Sequence, residues 1–393
     1  MEGAHNADGK GPNIWDTFCQ VPGAIENGDR GDDSCDHYYR WESDLELMEK
    51  LGTNAYRFST SWSRVLPEGR GRVNQAGIDF YKRLVDRLLE MGLQPALTLY
   101  HWDLPQALQD LGGWGNRDVC KWYRDYTELI FKTLSDRVAL WFTHNEPWVV
   151  SWAGHYQGRH APGKKDPALA IQVSHNLLLS HAMAVRTFKE GYQRGSSKIG
   201  AVLNLYPVEP ADDRNESAAA AKLADGIHNR WFLDPLYKGS YPADVLSFFD
   251  SKGWKFHQAP EDLDEIHAYP GDFLGVNYYF RKTVIEDRTN IALPWKEVLP
   301  PGAQSTEMGW EVHAKGMTDL LSRIRDDYAP AEMYITENGA AFPDKTVEDG
   351  IIADEDRREF IEDHFEEALT CIRAGIPLKG FFVWSFFDNF EWA

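Results

Sequence analysis

This sequence predicts an α/β fold with a parallel sheet covered on both faces, and three observations carry the expectation. Short β-branched and aromatic runs alternate with helical stretches along the chain. The runs are continuously apolar, as strands buried on both sides are. Two of them end in a glutamate just before a chain-turning residue, Glu146 before Pro147 and Glu337 before Asn338-Gly339.

The elements follow in order. Residues 54–62 read as a strand. Residues 77–91 read as a helix, with Ile78, Tyr81, Leu84, Val85 and Leu88 at helical spacing and Gly92 where a C-cap belongs. A strand at 94–101 precedes a helix at 122–134. A strand at 138–143 runs into Asn145-Glu146-Pro147, before a helix at 167–191. A strand at 198–205 leads to a helix at 218–224. Strands at 273–279 and 333–336 flank a helix at 317–324. A helix at 357–374 ends at Gly375, before a last strand at 380–386. That makes seven strands, where a closed barrel of this type needs about eight. A single barrel domain over residues 1–393, one strand short, is expected.

Composition narrows the function. A chain of 393 residues fits one α/β barrel as well as several smaller domains. A net charge of −20 repels nucleic acid and anionic membranes and leaves neutral or cationic ligands favoured. The aromatic load reads either as a large core or as stacking platforms for sugar-like ligands. Cys19, Cys35, Cys120 and Cys371 form no CxxC pair, which argues against zinc. Cys19 and Cys35 are spaced to bridge, but scattered thiols in a large chain are more often reduced. No signal peptide or membrane span is visible, so a cytoplasmic protein is expected. No phosphate-binding loop, nucleophile elbow or HExxH stands in the chain, and no cofactor or metal is expected.

The chemistry-bearing residues sit at strand ends. Pro147 should hold Glu146 in extended backbone, and Asn145 beside it offers an amide suited to a hydroxyl. Gly339 lets the chain turn after Glu337. Taken alone, each glutamate reads as an ordinary surface acid; two on one face of a barrel are what glycosidic cleavage needs. His101 ends another strand, and reads equally as a packed core group. Arg57, inside a strand, needs an anionic partner, for which a strand-end glutamate is the natural candidate. Asn277 and Tyr279 share a strand end and one side. Trp384, Glu391 and Trp392 lie close together near the C-terminus; an acid flanked by tryptophans suits a polyol, although each ring alone reads as core.

These residues together resemble the family 1 glycoside hydrolases, the β-glucosidase family. The resemblance runs from Glu2-Gly-Ala and Asp8-Gly-Lys-Gly-Pro-Asn-Ile-Trp, through Arg57-Phe-Ser-Thr-Ser-Trp, Tyr100-His-Trp-Asp-Leu-Pro, Asn145-Glu-Pro, Met308-Gly-Trp and Ile335-Thr-Glu-Asn-Gly, to Asn389-Phe-Glu-Trp392. It implies a (β/α)8 TIM barrel and retaining hydrolysis of terminal β-glucosides or cello-oligosaccharides, with β-galactosides and β-fucosides as further substrates. By it Glu146 is the acid/base and Glu337 the nucleophile. Asn145 binds the sugar 2-hydroxyl, and Arg57 and Tyr279 support the nucleophile. His101, Trp384, Glu391 and Trp392 bind the glycone, and Trp148 and Trp310 wall the leaving-group side. A carboxyl separation of about 5–5.5 Å is implied. Glu391 disfavours a 6-phosphate.

Against the family pattern, the first strand with its sugar-binding glutamine and the last helix are expected to be absent. Unpaired edges would then promote homo-oligomers, and apolar surface from Phe381 to Phe387 would be exposed. A polar His144 stands where an apolar residue is usual. A weak or inactive sugar-binding remnant of the same barrel is the alternative reading.

Overall fold

In the computed structural model the chain is described over residues 2–343, 347–348, 350–388 and 390–391. Trp392, expected at the glycone site, lies outside the described residues. Two compact units form. The first comprises Met1–Val202, Trp254–Asp272 and Phe387–Ala393; the second comprises Leu203–Gly253 and Phe273–Phe386.

The first unit carries β1 (Ala55–Ser59), β2 (Gln94–Tyr100), β3 (Leu140–Asn145) and β4 (Lys198–Asn204). They pair in parallel in chain order, with Phe58 opposite Leu97, Leu97 opposite Trp141 and Trp141 opposite Ile199. The side chains of Leu97, Leu99, Trp141, Phe142, Ile199 and Val202 are fully buried, which is why these strands read as unbroken apolar runs.

Helices cover them. Gln75–Glu90 buries Ile78, Tyr81, Leu84, Val85 and Leu88 at the predicted spacing, and Gly92 closes it at φ +74°. Pro167–Thr187 starts under an Asp166 cap, whose carboxylate accepts the Leu169 N–H at 3.0 Å. It is long and apolar enough to cross a membrane, but 78% of its apolar window is buried inside the protein, as in a core helix. The predicted helix to residue 191 breaks into a wider turn at Phe188–Tyr192.

The helix His37–Leu51 was not foreseen. Its core contacts are spread among acids, with Tyr38, Leu45 and Met48 buried beside a buried Asp44 that meets His37 at 2.7 Å. Cys19 and Cys35 are not joined by a disulfide.

The second unit carries β5 (Val208–Pro210), β6 (Phe273–Asn277), β7 (Lys282–Glu286), β8 (Trp295–Glu297), β9 (Met333–Glu337), β10 (Val347–Glu348), β11 (Ile351–Ile352) and β12 (Leu378–Phe381). Strands β6, β9 and β12 are parallel, with β9 between the other two. Lys315–Tyr328 and Glu355–Arg373 are its long helices. The short strands β5, β7 and β8 form a separate sheet that no apolar run announced.

The last strand ends earlier than predicted. Beyond Phe381 the backbone leaves regular pairing and follows the end of β9, with Phe382 N–H donating to Ile335 O at 2.8 Å and Trp384 N–H to Asn338 O at 2.9 Å. Val383 and Phe386 are exposed there, while Phe381, Phe382 and Phe387 are half-buried.

Candidate active site

In the first unit Arg57, inside β1, meets residues at the C-terminal ends of β2 and β3. Pairing of β3 with β4 slips between Phe142 and Asn145. Strict alternation would put these two side chains on opposite faces. The irregularity lets both meet Arg57, whose guanidinium lies 5.3 Å from the Phe142 ring and donates to Asn145 Oδ1 at 2.7 Å. The displaced residues between them reach the helix behind: Thr143 Oγ1 meets His181 at 2.7 Å, and His144 Nε2 meets Ser180 at 2.9 Å.

Asn145 is fully buried and fixed at both ends of its amide. A guanidinium only donates, so Oδ1 faces Arg57 and Nδ2 faces His101 Nε2 at 3.1 Å. That nitrogen must accept, which leaves the His101 proton on Nδ1. Burial, reinforced by the Arg57 charge, pushes His101 well below the usual histidine range, so it is neutral. Trp102, at φ +78°, donates its indole N–H to the Asn145 carbonyl at 2.9 Å. Sequence reasoning gave Trp102 no role; its place beside His101 was the available signal.

Glu146 departs from its expected conformation. Its φ is +49°, in the left-handed region, not extended. Its N–H still donates to Val202 O at 3.0 Å, while its carbonyl accepts from Val149 and Val150 at 3.0 and 3.2 Å. The residue thus ends a strand and starts a helical turn at once, and these two obligations outweigh the preference imposed by Pro147. A non-glycine residue held this way costs about 1–3 kcal/mol, which the surrounding structure must supply. Only 6% of Glu146 is exposed. Trp148 follows in that turn, half-buried. Glu391 is exposed in the same unit.

In the second unit Glu337 closes β9 opposite Asn277 at the end of β6. It is 4% exposed, and the Tyr279 hydroxyl donates to its Oε2 at 2.6 Å. Asn277 is buried, with Oδ1 accepting from Thr336 at 2.7 Å. Trp310 packs its ring 5.4 Å from Tyr279 and 4.9 Å from Phe280. Trp384 is half-buried beside Asn338. Gly339 is required for a reason other than the expected positive φ: any Cβ would collide with the Trp384 carbonyl.

The structure therefore assembles Arg57, His101 and Asn145 by direct contact in one unit, and Tyr279, Glu337 and Trp310 in the other. Among the described residues no group of three or more His, Cys, Asp or Glu could hold a metal ion. Each unit presents a largely buried carboxylate at a strand end, with amide, phenol or indole groups near it in the chain or in space, a set suited to a polyol.

Comparison with known proteins agrees. The family model for glycosyl hydrolase family 1 matches residues 1–393. A "Beta-glucosidase A" of Acetivibrio thermocellus is 46% identical over 395 residues, covering 100% of this chain and 87% of that protein. A "6-phospho-beta-glucosidase" of Bacillus subtilis is 37% identical over 406 residues, again covering 100% and 87%. The solved β-glucosidase of Thermotoga maritima in complex with glucoimidazole superposes with a TM-score of 0.95 at 46% identity, covering 100% of this chain and 87% of that one. The expected absence of a first strand and last helix finds no support in matches that span this whole chain.

Proposed function

This chain belongs to glycosyl hydrolase family 1, and from that membership we propose that it hydrolyses terminal β-D-glucosyl residues with retention, by double displacement. The observation that carries the reading is the 46% identity to β-glucosidases along the entire chain, with a buried carboxylate kept at each of the two strand ends. The fold is accordingly the (β/α)8 barrel of that family, and residues 1–393 act as one glycosidase domain.

In this reading Glu337 attacks the anomeric carbon while Glu146 gives its proton to the leaving oxygen. Glu146 then takes a proton from water, and the resulting nucleophile frees the sugar from Glu337. Tyr279 holds the Glu337 carboxylate at a fixed angle through its short hydrogen bond. Arg57 fixes the amide of Asn145, the residue that serves the sugar 2-hydroxyl. His101, Asn277, Trp384, Glu391 and Trp392 form the glycone side, and Trp148 and Trp310 the leaving-group side. The substrates are small β-glucosides or cello-oligosaccharides. Glu391 favours those without a 6-phosphate, unlike the substrate named for the Bacillus subtilis relative.

The test is release of aglycone from an aryl β-glucoside. Glu337→Ala should abolish it, and azide should restore part of the rate by standing in for the lost nucleophile. A folded wild type that releases nothing above background would leave the sugar-binding remnant as the better description.

A further inference from the structure

Trp310 stands on a tight hairpin. Thr306 N–H donates to Trp310 O at 2.9 Å, Val312 N–H to Gln304 O at 2.9 Å, and Gly309 turns the chain at φ +73°. The next residue, Glu311, is 6% exposed. Its carboxylate takes a two-pronged grip from Arg281, Nε at 3.0 Å and Nη2 at 2.6 Å, while Arg281 Nη1 reaches Glu209 at 2.8 Å. Arg281 lies two residues past Tyr279, the residue that holds Glu337. The Tyr278 hydroxyl ties the same two segments together by donating to His313 O at 2.5 Å. A planar, bidentate arginine–carboxylate pair fixes orientation as well as distance.

We propose that Arg281 and Glu311 are a positioning pair for the reaction. They set the angle at which the Trp310 face meets the leaving group, and so decide preference among aglycones without touching substrate. This rests on the reading of Trp310 as the leaving-group wall. Energy gained from remote parts of a substrate is what such a wall converts into rate. Tilting it should therefore cost most where the leaving group is a sugar and least where it is a single atom.

The experiment compares cellobiose with β-glucosyl fluoride on purified wild type, Glu311→Gln, Arg281→Gln and Trp310→Ala. The two clamp variants should lose about 10- to 100-fold in kcat/KM on cellobiose while staying within about threefold of wild type on the fluoride. Turnover of the fluoride certifies the fold in the same measurement. Equal losses on both substrates make the pair a stability element and overturn the proposal, as does an unchanged cellobiose rate. Trp310→Ala must lower kcat/KM on cellobiose at least as far as the clamp variants do; if it does not while wild type is active, the wall assignment fails and the clamp with it. A folded wild type inert towards both substrates overturns the parent reading and, with it, this one.

Discussion

Replacing Tyr279 with phenylalanine removes one oxygen and leaves the ring against Trp310 in place. That oxygen donates to Glu337 Oε2 at 2.6 Å, a length typical of a bond to an ionised carboxylate. Glu337 is 4% exposed, so water is poorly placed to substitute. A hydrogen bond to a charged group contributes about 1.5–3 kcal/mol. If the whole of it orients the nucleophile, the barrier rises by that amount, which is about 10- to 150-fold in rate at roughly 1.4 kcal/mol per decade. The assay is kcat/KM on an aryl β-glucoside, with a melting curve beside it. The ring still fills its site, so Tm should move by no more than a few degrees (about 2–4 °C per kcal/mol in domains of roughly 150–250 residues, and less in a longer chain). A variant within about threefold of wild type in kcat/KM would refute an orienting role for the phenol.

Three further outcomes follow from the same structure. Arg64 is fully buried and bonded to Glu2 at 2.5 Å; Glu2→Gln should cost about 3–5 kcal/mol in denaturant unfolding, and a loss under about 1 kcal/mol would contradict the pairing. In Gly339→Ala the new methyl meets the Trp384 carbonyl; about 1–3 kcal/mol of overpacking and a clear fall in activity are expected, and a wild-type melting curve would argue against that contact. Burial pushes His155 and His181 down to about 4, their hydrogen bonds to carbonyl oxygens opposing it. Their folded values lie below the unfolded one of about 6.5, so this contribution is intact above it and is lost as pH falls towards about 4. Tm should therefore drop between pH 7 and 5 with net proton uptake on unfolding; a flat Tm over that range would refute it.

The two glutamates, the strand rhythm and the amphipathic helices were legible because each is local. Gln75–Glu90 declares itself by spacing, and the parallel strands by unbroken apolar runs. His37–Leu51 was illegible because its buried Asp44 is satisfied by a partner seven residues away, which looks like surface in a linear reading. Glu146 was placed correctly but given the wrong backbone: the proline rule considers one neighbour, whereas Val202, Val149 and Val150 together fix its φ. Gly339 was noticed for its freedom to turn and is needed for its lack of a side chain.

By itself the sequence determined the strand–helix order and set acids, amides and aromatic residues at the strand ends, since residue type and periodicity are local properties. Only the tertiary structure decided what each one holds. Arg57 grips an amide through contacts between residues 57 and 145, and Arg281 grips Glu311 across 30 positions. Such pairings depend on register, a slip in one strand and the depth of burial, and these arise only when distant segments compete for the same space.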